Sequence, residues 1–164
     1  MEGLPHQSIV LLFLEMLNMK NVIIYTNSNG VISVVSPSPS YKGTVEELAV
    51  KTVPTGLTYF EIESVILPKD LTLELAWEIC EDSVRVNPDK AKAIWKDKWR
   101  EARKPLLASL DIEFMKAVET ADTEKQAEIA LKKQELRDVT NTPILGTTPE
   151  EIKSVWPEVL NDPN

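Results

Sequence analysis

The stretch KPLLASLDIEFMKAVETADTEKQAEIALKKQELRDV, residues 104–139, decides how this chain is read. Leu107, Leu110, Phe114, Ala117 and Ala121 recur at spacings of three and four, which places them on one face of a helix in a heptad-like seam. The polar run ETADTEKQ (119–126) then predicts a tight reversal, with Thr123 and Gln126 spaced as a capping box. Beyond it, Ala127, Ala130 and Leu131 are the expected buried face of a second helix over roughly 124–138, and Glu128 and Lys132 a surface ion pair. A short link makes two helices antiparallel neighbours, so 87–140 is read as a helical hairpin. The same seam is satisfied within one hairpin or between two chains as a coiled coil, because both bury the same residues.

Upstream, Asn87 suits a helix cap and Pro88 a first helical position. Trp95, Trp99, Ala102 and Leu106 follow along one face. Pro105 removes a backbone donor and crowds the preceding turn, so the helix is expected to kink or restart near Lys104. Downstream, the loop NTPILG (141–146) precedes TTPEEIKSVW (147–156). There Thr148 caps, Pro149 comes first, Glu151 closes the box and Pro157 ends a short terminal helix; 141–164 is loop, helix and tail.

The first half differs in style. NVIIYT, NSNG and VISVV (21–35) form a hairpin signal around Asn29-Gly30. SPSPS (36–40) is a loop, and TVEELAV opens on a Thr44–Glu47 capping box and is stopped by VPTG. TYFEIESVI (58–66) alternates as a strand, with Tyr59, Glu61 and Glu63 on one face and Phe60 and Ile62 on the other. Residues 75–86 predict a second hairpin. The expected fold class is α+β: a small antiparallel β-rich head (19–86), then the helical hairpin and the short terminal helix.

Residues 1–18 stand apart. SIVLLFLEMLNM is apolar for about twelve residues, short of the roughly twenty that span a bilayer, and lacks the basic lead and cleavage site of a signal peptide. It is read as a short amphipathic helix or as a leader before a native start at Met19.

With 164 residues, 43% of them apolar, the chain can build a real core, and a net charge of −8 argues against coating nucleic acid or anionic membrane with its whole surface. No metal or cofactor site and no catalytic constellation is expected. The lone histidine, His6, lies in the leader, and the lone cysteine, Cys80, sits in an apolar strand pattern with no base nearby. The five glycines form no phosphate-cradling loop. The sharpest local feature is KAKAIWKDKWREARK (90–104), where Lys92, Lys96, Arg100 and Arg103 stack beside two tryptophans. One reading is a contact for nucleic acid or an acidic partner, which would make the chain a nucleic-acid-binding or host-directed regulator. The preferred reading is a solvated helix face whose long stems cover apolar surface, because Asp89, Asp97 and Glu101 interrupt the run. Trp156 is read first as packing the last helix and second as an exposed anchor for a partner.

In order, REARKPLLASLDIEFMKAVETADTEKQAEIALKKQELRDVTNTP (100–143) and TTPEEIKSVWP (147–157) resemble the C-terminal region of bacteriophage and prophage tail-module proteins, among them tail assembly chaperones and tail-fibre assembly proteins. The resemblance rests on a paired helix ending in Leu136-Arg137-Asp138, a loop, and then Trp156-Pro157. The upstream segments IIYTNSNGVISVVSP, TVEELAVKTVPTGLTYFEIES and AWEI extend it to about residues 19–157. The loop before Trp156 departs from the chaperone pattern, which is more compact there and carries glycine and phenylalanine. The resemblance implies a non-enzymatic protein that binds a phage tail or tail-fibre protein, either as an assembly chaperone or as a minor virion component. It would then be found in the virion tail, or in the host cytoplasm during assembly, with homo-oligomerisation an open alternative.

Overall fold

A computed structural model describes residues 21–81 and 83–161. The expectations for residues 1–18, including His6 and a start at Met19, lie outside these residues. The architecture is α+β, with antiparallel strands first and helices after, as the periodicities predict. The chain divides into two compact units between Asn87 and Pro88.

In the first unit, β1 (Asn21–Thr26) is the central strand of a three-stranded antiparallel sheet, between β2 (Ile32–Val35) and β3 (Tyr59–Glu63). Val22, Ile23 and Ile24 of β1 are all fully buried, so both faces of this strand are covered. Val22 and Ile24 join Ile32, Ile62, Leu67, Trp77 and Val84 in one cluster. Trp77 and Val84 come from a separate two-stranded antiparallel sheet, β4 (Trp77–Cys80) and β5 (Ser83–Val86). The hairpin loop at 27–31 is organised by Asn27, whose Oδ1 accepts from the backbone N–H groups of Asn29 and Val31 at 2.9 and 3.2 Å. Gly30 takes a φ of +74°, where a glycine avoids the Cβ clash.

Helix α1 (Val45–Thr52) begins with the expected capping box: Thr44 accepts from the Glu47 N–H, and Glu47 reaches back to the Thr44 N–H. The strand expected over 58–66 is shorter. Asn21, the first residue of β1, stands opposite Glu63, so residues 64–66 have no partner strand among the described residues and curl into a 3₁₀ turn. The second hairpin likewise starts at Trp77, because residues 71–76 are 3₁₀.

In the second unit, α2 (Pro88–Glu119) runs unbroken through Pro105 rather than restarting at Lys104. An interior proline costs about 3 kcal/mol. The helix packs over its length against α3 (Thr123–Asp138), α4 (Pro149–Ser154) and the turn at 158–160, and this packing outweighs one lost backbone bond. It ends in a Schellman motif, with the Asp122 N–H on the Ala117 carbonyl and the Ala121 N–H on that of Val118. Ala121 sits at φ +55°, the position glycine usually fills.

Two local expectations are corrected here. The cap of α3 is Asp122, not Thr123: its carboxylate accepts from the Lys125 N–H at 2.9 Å. Gln126 closes no box and donates its side-chain amide to the Ala117 carbonyl at 3.1 Å. The buried face of α3 is Ile129 and Leu136, against Leu110 and Ala117 of α2, while Ala127, Ala130 and Leu131 are exposed. The lysines flanking that face explain the difference. Lys132 and Lys133 are half-buried along their stems, and Lys133 reaches Asp111 and lies over the Phe114 ring at 5.3 Å, so charged positions share the interface that their ends leave. The expected Glu128–Lys132 pair forms, at 3.2 Å.

Candidate interaction site

The basic stripe on α2 does not act as one surface. Lys96 Nζ donates to the Thr140 carbonyl at 2.8 Å. Arg103 donates to the carbonyls of Leu136 and Arg137, at 3.3 and 2.8 Å. The last carbonyls of a helix have no intrahelical donor and carry the negative end of its dipole. Lys96 and Arg103 therefore close the C-terminal end of α3 and the 3₁₀ turn that follows it. Arg100 is turned outward and pairs with Asp97 one turn earlier, and Lys92 has no ion pair or hydrogen bond among the described residues.

The tryptophans also serve the unit itself. Trp99 is fully buried. Trp95 donates its indole N–H to the Val155 carbonyl at 2.9 Å and meets Trp156 edge-on, ring centroids 5.7 Å apart. Trp156 thus packs the end of α4 against α2 and is still 37% exposed. Its place on the chain follows from the Thr148 box, in which Glu151 accepts from the N–H groups of Thr147 and Thr148 at 2.8 and 3.1 Å. Those two donors hold the Glu151 carboxyl below its ordinary range.

A second set of residues faces solvent. Ile112, Met115 and Val118 of α2 are 44–59% exposed and Leu131 of α3 is 68% exposed. The hairpin seam is already filled by Leu110, Ala117, Ile129 and Leu136, so these four are surplus to it. Leu131, expected to hold the arms together, is on the outside. The signal for this surface was present in the spacing of three along Ile112, Met115 and Val118, beside the seam that had absorbed the apolar count.

The electrostatics show charge stabilisation throughout. Glu128 is lowered first by its hydrogen bond with Lys125 and then by Lys132, and Lys125 is raised by the same pair. Arg85 is raised by its hydrogen bond to Glu78, and Glu46 is lowered by hydrogen bonds from its own backbone N–H and from the Thr44 hydroxyl. Each shift favours the charged form. Cys80 is a half-buried free thiol, and no group of three or more metal-ligating side chains occurs among the described residues. No described helix is long and apolar enough to cross a membrane.

No protein-family model, curated protein or solved structure matches the chain.

Proposed function

We propose that this chain is a non-enzymatic protein-interaction component of a bacteriophage tail module, acting on tail or tail-fibre subunits either as an assembly chaperone or as a minor structural part of the tail. The observation that carries the interaction reading is the set of apolar side chains left exposed on the outer sides of the hairpin. Ile112, Met115, Val118 and Leu131 stay exposed on two helices whose mutual seam is complete. Large apolar side chains left exposed on an otherwise charged helical surface are candidates for contact with a partner. The tail context comes from the resemblance carried by Leu136-Arg137-Asp138 and Trp156-Pro157.

Nucleic-acid binding is less well supported. Two of the four cations in the stripe, Lys96 and Arg103, are engaged by backbone carbonyls, and the net charge is −8. Mass spectrometry of purified particles beside infected-cell lysate tests the proposal. A fixed copy number in particles supports a structural role in the tail, and presence in lysate bound to a tail or fibre subunit but absence from particles supports a chaperone. Absence of the chain from particles, together with absence of any tail or fibre subunit from its pull-downs of the lysate, overturns the tail reading.

A further inference from the structure

The three-stranded sheet ends on β3, whose outer edge pairs with no other strand among the described residues. The segment around it is unusually apolar for an open edge: Leu57, Tyr59, Phe60, Val65 and Ile66 are each 36–65% exposed. Open edges are normally shortened, covered or guarded by charge, because unpaired backbone groups beside apolar side chains recruit another strand. Here the guards within the strand are Glu61 and Glu63. The register with β1 sets their geometry. Phe60 and Ile62 stand opposite Ile24 and Val22 and project toward the core face, while Glu61 and Glu63 project to the other.

Beside Phe60 the surface opens into a groove of about 490 Å³, lined by Thr26, Thr58, Phe60, Ile79 and Glu81. It is continuous with the edge, because Phe60 belongs to both. The unit is net acidic, with nine acidic and four basic side chains over residues 21–87, and the charged residue lining the groove is Glu81. Glu63 and Glu81 make no ion pair or hydrogen bond among the described residues, and Glu61 takes a single hydrogen bond from the Asn21 amide at 2.6 Å.

We propose that the outer edge of β3 takes up an extended segment of a partner protein as a fourth strand, and that this segment alternates basic and apolar residues. Residues directly across a strand pair project to the same face. Apolar side chains therefore fall opposite Phe60 and Ile62, the first of them entering the groove against Ile79, and basic ones fall opposite Glu61 and Glu63. A second copy of this chain is disfavoured, since antiparallel self-pairing centred on Glu61 sets that carboxylate against itself. Nucleic acid and anionic lipid are disfavoured by the same charge. The proposal deepens the reading of this chain as an interaction protein and does not rest on the tail context.

The test is an NMR titration of the full ¹⁵N-labelled chain with a capped octapeptide of alternating lysine and valine. The expected result is a set of shifts at Tyr59–Glu63 and at Ile79 and Glu81, with slowed amide exchange along β3. The exposed double variant Glu61→Gln, Glu63→Gln should bind about three- to tenfold more weakly, the range set by two cross-strand ion pairs at a solvent-facing edge. A glutamate–valine octapeptide, or the lysine–valine one N-methylated at every residue so that neither edge keeps a donor, should leave β3 unshifted. Equal binding by the N-methylated peptide overturns strand addition. Shifts at β3 that appear on concentrating the chain alone make the occupant a second copy and overturn the proposal. Shifts confined to the exposed apolar residues of α2 and α3 overturn it while leaving the interaction reading standing. No shift anywhere at millimolar peptide also overturns it, and capture of a tail subunit by the same chain then shows that only the edge assignment has failed.

Discussion

Replacing the basic side chains of α2 one at a time by methionine separates a structural stripe from a binding surface. Methionine keeps most of the apolar stem and removes the charge and its donors. Arg103→Met deprives the carbonyls of Leu136 and Arg137 of their donor, and Lys96→Met does the same to that of Thr140. A hydrogen bond from a charged donor contributes about 1.5–3 kcal/mol when its loss leaves the acceptor buried and bare. The bonds to Thr140 and Leu136 are part-buried and that to Arg137 is exposed, so water recovers some of that. The expected losses are about 1–2 kcal/mol for Arg103→Met, with two acceptors, and about 1 kcal/mol for Lys96→Met. Arg100→Met removes a surface pair with Asp97, and Lys92→Met removes no described interaction, so both should stay within about 0.5 kcal/mol of the parent. Urea unfolding of the full chain followed by far-ultraviolet circular dichroism reads the difference. In a unit of this size each kcal/mol also moves the melting temperature by about 4–8 °C. Four indistinguishable variants, or a greater loss at Lys92 or Arg100 than at Arg103, would refute the assignment of Lys96 and Arg103 to the end of α3.

Ala121→Gly should stabilise the hairpin by about 1 kcal/mol, because φ +55° at the end of α2 strains an alanine and not a glycine; a lower urea midpoint than the parent contradicts this. The lowered Glu151 carboxyl contributes stability that is complete above the unfolded carboxylate range, about pH 4.5, and fades as the pH falls through the lower folded value. Glu151→Gln should therefore flatten part of the acid-induced loss below about pH 4.5, and an unchanged pH profile argues against the link. Ile112→Asp and Leu131→Asp should leave stability within about 0.5 kcal/mol, since both side chains are exposed, yet weaken capture of the partner in pull-downs. A large drop in melting temperature for either would show that its side chain is internal after all.

Much of the fold is legible in short sequence windows because the interactions that make it are themselves short. The boxes at Thr44–Glu47 and Thr148–Glu151 close over three residues, and the turn from β1 to β2 is held by Asn27 and Gly30 within the loop. A period of two before Asn87 and of three to four after Pro88 is enough to separate strands from helices, hence the α+β class. Even locally the box pattern puts the cap of α3 one residue late: Thr123 fits it, but once Ala121 turns left-handed it is Asp122 that faces the free N–H groups.

What the windows could not choose lies across the chain. Two stripes of α3 are apolar enough to be buried, Ala127–Ala130–Leu131 and Ile129–Leu136, and only the surface of α2 opposite them selects the second. Local cost says that Pro105 breaks α2; packing along both halves of the helix says otherwise. The stripe from Lys92 to Arg103 looks uniform by spacing alone. Its division into inward and outward cations depends on carbonyls 33 to 44 residues away, brought within reach when α3 folds back on α2. Helical periodicity sets which residues share a face, but burial is a property of two surfaces together, and the second surface exists only once the chain has folded.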